Sequence, residues 1–197
     1  MVVETQAPVR RRPRPVKVVI AGGFGVGKTT TVAQVSEIPV LTTEAAMTEV
    51  AAAIDRTGEV PEKTTTTVAL DFGRITIGDD ILLFLFGTPG QDRFGFLWNE
   101  LTDGALGALV IVDTRRLDEC YPAVDYFEQS GLPFVVGVNM FDGLLNHDLD
   151  DVRWALAVSD DVPLVTFDAR VRASVRDALV AVLENSLQKA LARSGRG

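Results

Sequence analysis

The sequence predicts an α/β fold with a mainly parallel, six-stranded sheet that is covered by helices on both faces. Short apolar runs alternate along the chain with longer segments of helical periodicity, which is the pattern of parallel strands joined by helices. A glycine-rich stretch separates the first apolar run from the first helical segment. The last segment, 171–191, has the apolar spacing of a long amphipathic helix. In folds of this kind, ligands bind at the loops that follow the carboxyl ends of the strands.

The order of the predicted elements follows from these periodicities. The predicted strands are 16–21, 68–77, 81–86, 105–113, 133–139 and 163–167. The predicted helices are 29–36, 96–102, 117–130, 148–158 and 171–191. The strand 81–86 is apolar throughout and is expected to be central in the sheet. Residues 37–63 fit either a short helix or an irregular strand, and Trp98 and Trp154 are expected to be packing residues.

Composition limits the class of protein. The chain has 197 residues and a formal net charge of −8, which does not attract nucleic acid or anionic lipid. A Pro/Arg-rich segment, 1–15, is expected to be a disordered basic tail, 16–192 one domain, and 193–197 a short flexible end. The single cysteine, Cys120, suits a reducing compartment and is expected to be buried. No apolar run reaches 18 residues, so no membrane-spanning helix is expected, and the predicted location is cytoplasmic.

Residues 22–30, GGFGVGKTT, match the pattern GxxxxGK(S/T) and are named the phosphate loop here. Glycines let the backbone wrap closely round a polyphosphate, and the N–H groups of the loop and of the following helix attract anions. Lys28 can reach the β and γ phosphates of a nucleotide, and the Thr29 hydroxyl is a ligand for Mg²⁺. The predicted nucleotide contacts in this stretch are Gly23, Gly25, Val26, Gly27, Lys28, Thr29 and Thr30.

Five stretches together resemble the Ras-like small GTPases. They are GGFGVGKTT, TTTTVALDF, GTPGQ, NMFD and FDAR, and the resemblance covers roughly 16–191. Within that family the chain looks most like the bacterial MglA-like branch and the GTPases of actinobacterial conservon operons. The resemblance implies a Ras-like G domain that binds GTP or GDP together with Mg²⁺.

The second and third stretches correspond, by this resemblance, to the two switch segments. In TTTTVALDF, which resembles the TIGVDF of Rab-type proteins, Thr67 takes the place of the switch I threonine that completes Mg²⁺ coordination. In GTPGQ, which resembles DTAGQ, Gly90 would give its N–H to the γ-phosphate and Gln91 would orient the attacking water. Gly87 departs from the pattern, because small GTPases usually carry there an aspartate that supports Mg²⁺ through water. Asp113 is a candidate replacement.

The fourth and fifth stretches correspond to the base-binding motifs of the family. In NMFD, which resembles NKxD, Asp142 can accept hydrogen bonds from guanine N1–H and the 2-amino group, neither of which adenine offers. Asn139 would tie the guanine edge to the phosphate loop, and Met140 stands where the usual lysine packs on base and ribose. FDAR is placed like the SAK loop, in which the Ala169 N–H would meet guanine O6. The flanking predicted contacts of that loop are Asp168 and Arg170.

A catalytic arginine remains to be placed, because arginine accelerates GTP hydrolysis by roughly 10³- to 10⁵-fold. By resemblance to MglA-like proteins it lies in the switch I segment, where Arg56 is the candidate. An exposed surface role is the alternative for Arg56, and Arg93 is the second choice as catalytic arginine. Without a well-placed arginine, intrinsic hydrolysis is expected to be slow.

The residues leave two functions open and disfavour a third. The first is a GTP-binding molecular switch with slow, Mg²⁺-dependent hydrolysis that a partner stimulates. The second is a nucleotide-binding scaffold, or pseudo-GTPase, with little or no hydrolysis. An ATP-dependent phosphotransferase needs a Walker B carboxylate or an arginine-bearing lid, and it is disfavoured because ILLFLFG ends without an acid. The resemblance also implies two partners, a roadblock-domain regulator and a sensor-kinase-like membrane protein that would recruit the chain to the membrane.

Overall fold

The computed structural model describes residues 13–49, 64–90 and 96–195. Within these ranges the side chains of residues 42–49, 64–69, 96 and 142 lie outside the description. The three predicted candidates for catalysis, Arg56, Gln91 and Arg93, also lie outside the described residues.

The sheet is mainly parallel, as predicted. Its strands are β1 (Arg14–Gly22), β2 (Leu41–Glu49), β3 (Thr64–Ile77), β4 (Ile81–Gly87), β5 (Gly107–Val112), β6 (Phe134–Asn139) and β7 (Leu164–Phe167). In the described part of the chain they form one seven-stranded sheet with the order β2-β3-β4-β1-β5-β6-β7. Strands β4, β1, β5, β6 and β7 are parallel to one another, and β3 and β2 are added antiparallel at one edge. The predicted fold class is confirmed.

Strand β2 lies in the stretch for which the sequence left helix and strand open. All six predicted strands are present, and β2 adds a seventh among the described residues. Strand β3 has 14 residues, but only 71–77 pair with β4. Backbone N–H and C=O groups require partners, and β2 supplies them to the first part of β3, from the pair Leu41↔Phe72 to the pair Glu49↔Thr64.

Helices cover both faces of the sheet. They are α1 (Lys28–Val35), α2 (Phe96–Thr102), α3 (Tyr121–Ser130), α4 (Leu149–Ala155) and α5 (Arg172–Ser194). α1 and α5 contact each other, and α5 packs on β5, β6 and β7. Connections between parallel strands are right-handed, so α2, α3 and α4, which lead successively from β4 to β7, lie on the opposite face. None of these five described helices is both long and apolar enough to span a bilayer.

The core is centred on β1, β5 and β6. Every residue of β5 and β6 is buried, as are the last five residues of β1, in agreement with their unbroken apolar runs. β4 lies inside the sheet as predicted, between β3 and β1. Its Leu83 and Leu85 side chains are buried, whereas the alternate side chains are only half-buried. On that second face Phe84 and Phe86 pack on Phe72 of β3, with ring centroids 5.7 and 5.1 Å apart.

Two local predictions are corrected by the structure. The single helix predicted over 117–130 is a 3-10 turn, Leu117–Glu119, followed by α3, which begins at Tyr121 with Pro122 in its first turn. Proline lacks an N–H and is tolerated there but not further inside a helix. Trp98 and Cys120 are buried as predicted, whereas Trp154 is 86% exposed and is not a packing residue.

Candidate functional site

The phosphate loop connects the carboxyl end of β1 to the start of α1. Three of its glycines have positive φ angles, 133° at Gly22, 72° at Gly25 and 109° at Gly27. Other residues rarely adopt these conformations, so the shape of the loop depends on glycine. Gly27 is the N-cap residue of α1. A glycine loop that leads into a helix N-terminus is suited to bind an anion.

Neighbouring backbone closes the loop from outside. A Cβ atom on Gly22 would lie 2.3 Å from the carbonyl oxygen of Ile111, at the end of β5. A Cβ atom on Gly23 would lie 2.5 Å from the carbonyl oxygen of Glu119, in the 3-10 turn before α3. Neither position has room for a side chain. These two glycines are therefore needed for the close approach of β5 and the 3-10 turn as well as for the shape of the loop.

The Lys28 side chain is folded back into the loop. Its Nζ donates to the carbonyl oxygens of Gly22, at 2.9 Å, and Gly23, at 2.6 Å. Lys28 is only 8% exposed, and burial lowers the pKa of its ammonium group to about 8, although the negative charge of Asp71 opposes the shift. A Cβ atom on Gly90 would lie 2.6 Å from Lys28 Nζ. The structure thus brings the predicted switch II glycine and the loop lysine together.

A carboxylate lies beside the predicted Mg²⁺ ligand Thr29, and it comes from an unexpected strand. Thr29 Oγ1 donates to Asp71 Oδ2 at 2.5 Å. Asp71 of β3 is the cross-strand neighbour of Gly87 in β4. A Cβ atom on Gly87 would lie 3.0 Å from Asp71 Cβ and 3.3 Å from Asp71 Oδ2. The Asp71 side chain therefore occupies the space beside Gly87, where the sequence lacked an acid.

Asp113, the replacement considered from the sequence, is engaged elsewhere. Its side chain is fully buried, and both carboxylate oxygens accept hydrogen bonds from Arg115, at 2.8 to 3.0 Å. Burial alone would raise the pKa of Asp113, but the hydrogen bonds and the charge of Arg115 outweigh it and lower that pKa. Asp71, and not Asp113, is the carboxylate in contact with Thr29.

Asn139 joins the phosphate loop to the loop after β7. It is 6% exposed; its Nδ2 donates to the Val26 carbonyl oxygen at 2.9 Å, and its Oδ1 accepts from the Ala169 N–H at 3.1 Å. A Cβ atom on Gly27 would lie 2.9 Å from Asn139 Nδ2 and 3.2 Å from Ala169 Cβ. Three of the five predicted stretches therefore meet at one side chain.

The other residues predicted to contact the base surround this junction. The Met140 N–H donates to the Phe167 carbonyl oxygen at 2.7 Å, which fixes the chain where β6 ends. Asp142 lies in the next turn, Phe141–Gly143, but its side chain is outside the described part. The Asp168 carboxylate accepts from the backbone N–H of Arg170 at 2.8 Å and forms an ion pair with its guanidinium at 3.1 Å.

For some of the residues predicted to contact the nucleotide, the structure does not place the side chain at the phosphates. The Val26 side chain is buried in the core, so that residue can contribute to the loop only through its backbone, and Thr30 is exposed on α1. Thr67 lies in β3 opposite Ala46 of β2, and its side chain is outside the described part. Thr67 lies four residues before Asp71 in β3, which corresponds to ~13 Å along the strand. The contact of Thr67 with the metal site stays a prediction.

A cavity of about 120 Å³ lies next to Asn139, between the ends of β5 and β6. Arg115 and Phe141 are among its walls, and the Arg115 guanidinium stacks 3.7 Å above the Phe141 ring. The stacking connects the turn after β5 to the turn that carries Asp142. The described residues contain no cluster of three histidine, cysteine or acidic side chains that could hold a metal ion by itself, so a metal here would depend on Thr29, Asp71 and a ligand.

A family model that matches most of the chain shows which family the chain belongs to. A family model described as "Conserved hypothetical ATP binding protein" matches residues 20–191. The chain belongs to this family. The match begins inside β1 and ends in α5, so it covers the sheet, the phosphate loop and the junction at Asn139.

The proteins to which this chain is similar include one relative and two solved structures described next. An uncharacterized protein of Methanocaldococcus jannaschii, MJ1339, is 33% identical over 129 residues, which are 64% of this chain and 71% of the relative. The G domain of FeoB from Methanococcus jannaschii has a TM-score of 0.54 at 13% identity and covers 93% of this chain and 99% of its own. The cytosolic domain of the T. maritima FeoB iron transporter in its apo form has a TM-score of 0.60 at 14% identity, over 88% of this chain and 64% of its own.

These similarities establish the fold of the chain and its ability to bind a nucleotide. At such low identity the two structures show that this chain has the fold of a G domain, and the family adds nucleotide binding. The protein is therefore a nucleotide-binding P-loop protein with a G-domain-like fold. These similarities do not extend to the MglA-like branch.

Proposed function

We propose that the protein is a GTP-binding molecular switch with slow, Mg²⁺-dependent GTP hydrolysis, of the MglA-like kind that its motifs resemble. The observation that carries this proposal is the position of Asn139, whose amide contacts both the phosphate loop and the Ala169 backbone. One nucleotide could extend from Lys28 to that junction, with its phosphates in the loop and its base against the loops after β6 and β7.

The chemistry of the base edge favours guanine over adenine. In the structure the Ala169 N–H donates to Asn139 Oδ1. A bound guanine would share or take over this donor through O6, whereas adenine would present its own amino group at the same position. Asp142 follows Asn139 in the turn after β6, and a carboxylate there accepts from guanine N1–H and the 2-amino group. The family description names ATP, but these residues support GTP or GDP as the ligand.

The residues beside Thr29 fit a bound Mg²⁺. The Thr29 hydroxyl and the Asp71 carboxylate are in contact, and oxygen ligands of these two types are the ones that Mg²⁺ accepts in nucleotide sites. When bound, Mg²⁺ would neutralise charge on the β and γ phosphates. The missing acid at Gly87 is thus no argument against a metal-dependent activity, because Asp71 lies in the same space.

Hydrolysis in this proposal depends on Gln91 to orient water and on an arginine, either Arg56 or one from a partner. The nucleotide-binding scaffold remains the second candidate function, because β3 pairs Thr67 with Ala46 of β2, ~13 Å along the strand from Asp71. In this proposal the switch is cytoplasmic and binds a roadblock-domain regulator, and a sensor-kinase-like membrane protein would recruit it to the membrane.

The test uses the purified 197-residue protein. Co-purified nucleotide is identified first, and binding of fluorescent GDP and ADP is then compared for the wild type and Lys28→Ala. We expect GDP to bind at least tenfold more tightly than ADP, and Lys28→Ala to bind neither. Equal affinities for GDP and ADP would refute the guanine assignment.

A second measurement separates switch from scaffold. Phosphate release is followed with GTP and Mg²⁺, for the wild type and for Gln91→Ala. Slow release that Gln91→Ala abolishes supports the switch, whereas tight GTP binding without any release supports the scaffold.

A further inference from the structure

The turn after β5 places an arginine against the phosphate loop. Residues 113–119 are named the bracing turn here. Arg116, in this turn, donates from Nη2 to the Phe24 carbonyl oxygen at 3.2 Å. The same nitrogen lies 3.1 Å from the place of a Cβ atom on Gly25. The Arg116 guanidinium therefore contacts two consecutive residues of the loop, Phe24 and Gly25.

Two acidic residues of the same turn fix the position of this guanidinium. Arg116 Nη1 forms an ion pair with Glu119 Oε1 at 3.1 Å, and Arg116 Nε lies 3.8 Å from Asp113 Oδ2. Asp113 is fully buried and is also bound by Arg115. Because a guanidinium is a planar, rigid fork, contacts on three of its nitrogens leave it little freedom. The bracing turn thus presents Arg116 to the loop in one orientation.

Side chains hold several carbonyl oxygens of the phosphate loop. Among the described residues, Lys28 binds those of Gly22 and Gly23, Arg116 that of Phe24, and Asn139 that of Val26. In a trans peptide the carbonyl and the next N–H point in opposite directions. A carbonyl of Phe24 that is held on the side of the bracing turn therefore directs the Gly25 N–H to the opposite side.

We propose that Arg116 is a positioning residue for the nucleotide phosphates and acts through the Phe24–Gly25 peptide. The inference rests on the proposed function, because it assumes that phosphates occupy the loop. A bound nucleotide would draw the Lys28 ammonium to its phosphates and away from the carbonyls of Gly22 and Gly23. Arg116 then remains as the cation that keeps the Gly25 N–H oriented to the phosphates.

The experiment measures dissociation of fluorescent GDP from the 197-residue protein and from three variants. They are Arg116→Ala, Arg116→Lys and the matched control Arg153→Ala. Arg153 lies on α4 and donates to the carbonyl oxygens of Ser159 and Val162, so the control also removes an arginine that binds two backbone oxygens. We expect Arg116→Ala to release GDP about tenfold faster, as for the loss of a charge-assisted hydrogen bond.

Two further readouts distinguish positioning from general destabilisation. Arg116→Lys should recover part of the slow dissociation, because an ammonium can reach one carbonyl but cannot contact both acids as a fork does. The preference for GDP over ADP should not change, because Arg116 acts on the phosphates. The melting temperature of Arg116→Ala should fall no further than that of Arg153→Ala.

The outcomes separate this inference from the proposed function. If the wild type does not bind GDP, the proposed function fails and takes the inference with it. If the wild type binds GDP but both Arg116 variants dissociate at the wild-type rate, only the inference fails. The inference also fails if Arg153→Ala accelerates GDP release equally. If Arg116→Ala does not fold, the dissociation rate of Arg116→Lys alone decides the inference.

Discussion

At the scale of single residues, burial determines the charge state of the site. Lys28 is enclosed by the phosphate loop and Gly90, and its ammonium has carbonyl oxygens in place of water. Burial disfavours the charged form, so the pKa of Lys28 falls from 10.5 to about 8. A lysine with this pKa is still mainly protonated at neutral pH and can bind phosphate.

The stability of the nucleotide-free protein should therefore depend on pH through Lys28. Below pH 8 the lysine is charged in the folded and the unfolded chain, and the folded chain carries the full cost of burying it. Between pH 8 and 10.5 the folded chain binds fewer protons than the unfolded chain, so the free energy of unfolding rises with pH. Relative to Lys28→Met, the wild type should gain on the order of 3 kcal/mol across this window.

Urea unfolding of the wild type and of Lys28→Met at pH 7 to 10.5 measures this difference. The variant serves as the control for every other group that titrates, because those groups are the same in both proteins. A difference between the two proteins that stays constant with pH would contradict the prediction.

Asp71 should control the effect of Mg²⁺ on nucleotide release. In the wild type, we expect removal of Mg²⁺ by a chelator to accelerate GDP dissociation strongly. In Asp71→Asn the dissociation should be about tenfold faster with Mg²⁺ present and nearly insensitive to the chelator, because a neutral amide supports the metal poorly. Asp79→Asn, in the exposed turn after β3, is the matched control and should behave as the wild type.

A variant that moves the carboxylate from position 71 to position 87 gives the sharper test of Asp71. Residues 71 and 87 are cross-strand neighbours, and the nearest atoms to a Cβ on Gly87 belong to the Asp71 side chain. The double variant Asp71→Gly with Gly87→Asp returns the carboxylate to the usual strand and removes the atoms that it would meet. We expect it to restore the chelator response that Asp71→Gly alone has lost; no restoration would show that the space beside Gly87 does not serve the metal.

At the scale of elements, the β3–β4 hairpin explains why this carboxylate escaped the sequence analysis. The motif pattern directed attention to position 87 itself and to acids after neighbouring parallel strands. The predicted turn, 78–80, already pairs Ile77 with Ile81. Counting back along β3 and forward along β4 from this pair places residue 71 opposite residue 87. The register of the hairpin was therefore available from the sequence, but the contact with Thr29 depends on how α1 packs against β3.

The β2–β3 pair also determines the position of Thr67. While 64–70 pair with β2, Thr67 stays ~13 Å along the strand from Asp71. If Thr67 binds the metal in the triphosphate state, these pairs must rearrange. Hydrogen exchange of 41–49 and 64–70 should then differ between the GDP state and the state with a non-hydrolysable GTP analogue, while 71–77 should not change.

Thr67→Ala tests the same element independently. We expect the variant to lose affinity for the GTP analogue about tenfold and to keep its affinity for GDP, because the switch contact forms only with the γ-phosphate. Thr65→Ala, in the same run of threonines, is the control. Equal losses for GDP and the analogue would assign Thr67 a role in the strand and not in a switch.

At the scale of the whole molecule, the predictable features are those fixed by periodicity and motif. The buried runs of β1, β5 and β6 and the helix after the phosphate loop were found because their patterns are local. Strand β2, the exposure of Trp154 and the position of Arg116 were not, because each depends on a partner distant in sequence. The same holds for the site, in which Asn139 was recognised by its motif and Asp71 only by its contacts.

Base selection is the property that requires all of these loops to act as one site. Asp142 is predicted to accept from guanine N1–H and the 2-amino group. The Ala169 N–H, which donates to Asn139 Oδ1 in the structure, is predicted to meet O6 in the complex. In Asp142→Asn the side chain keeps one acceptor and gains a donor, which suits xanthine, whose position 2 carries an oxygen. The variant should lose GDP affinity by about 10²-fold or more, because two hydrogen bonds to a charged group are lost. It should gain affinity for xanthosine diphosphate, and its affinity for ADP should not change. Competition of the three nucleotides against fluorescent GDP, with Asp148→Asn as the control, measures these affinities.

A double variant tests whether base and phosphates share one cavity. Adding Lys28→Ala to Asp142→Asn should abolish binding of the xanthine nucleotide as well. If the double variant still bound it, the base and the phosphates would not share one cavity.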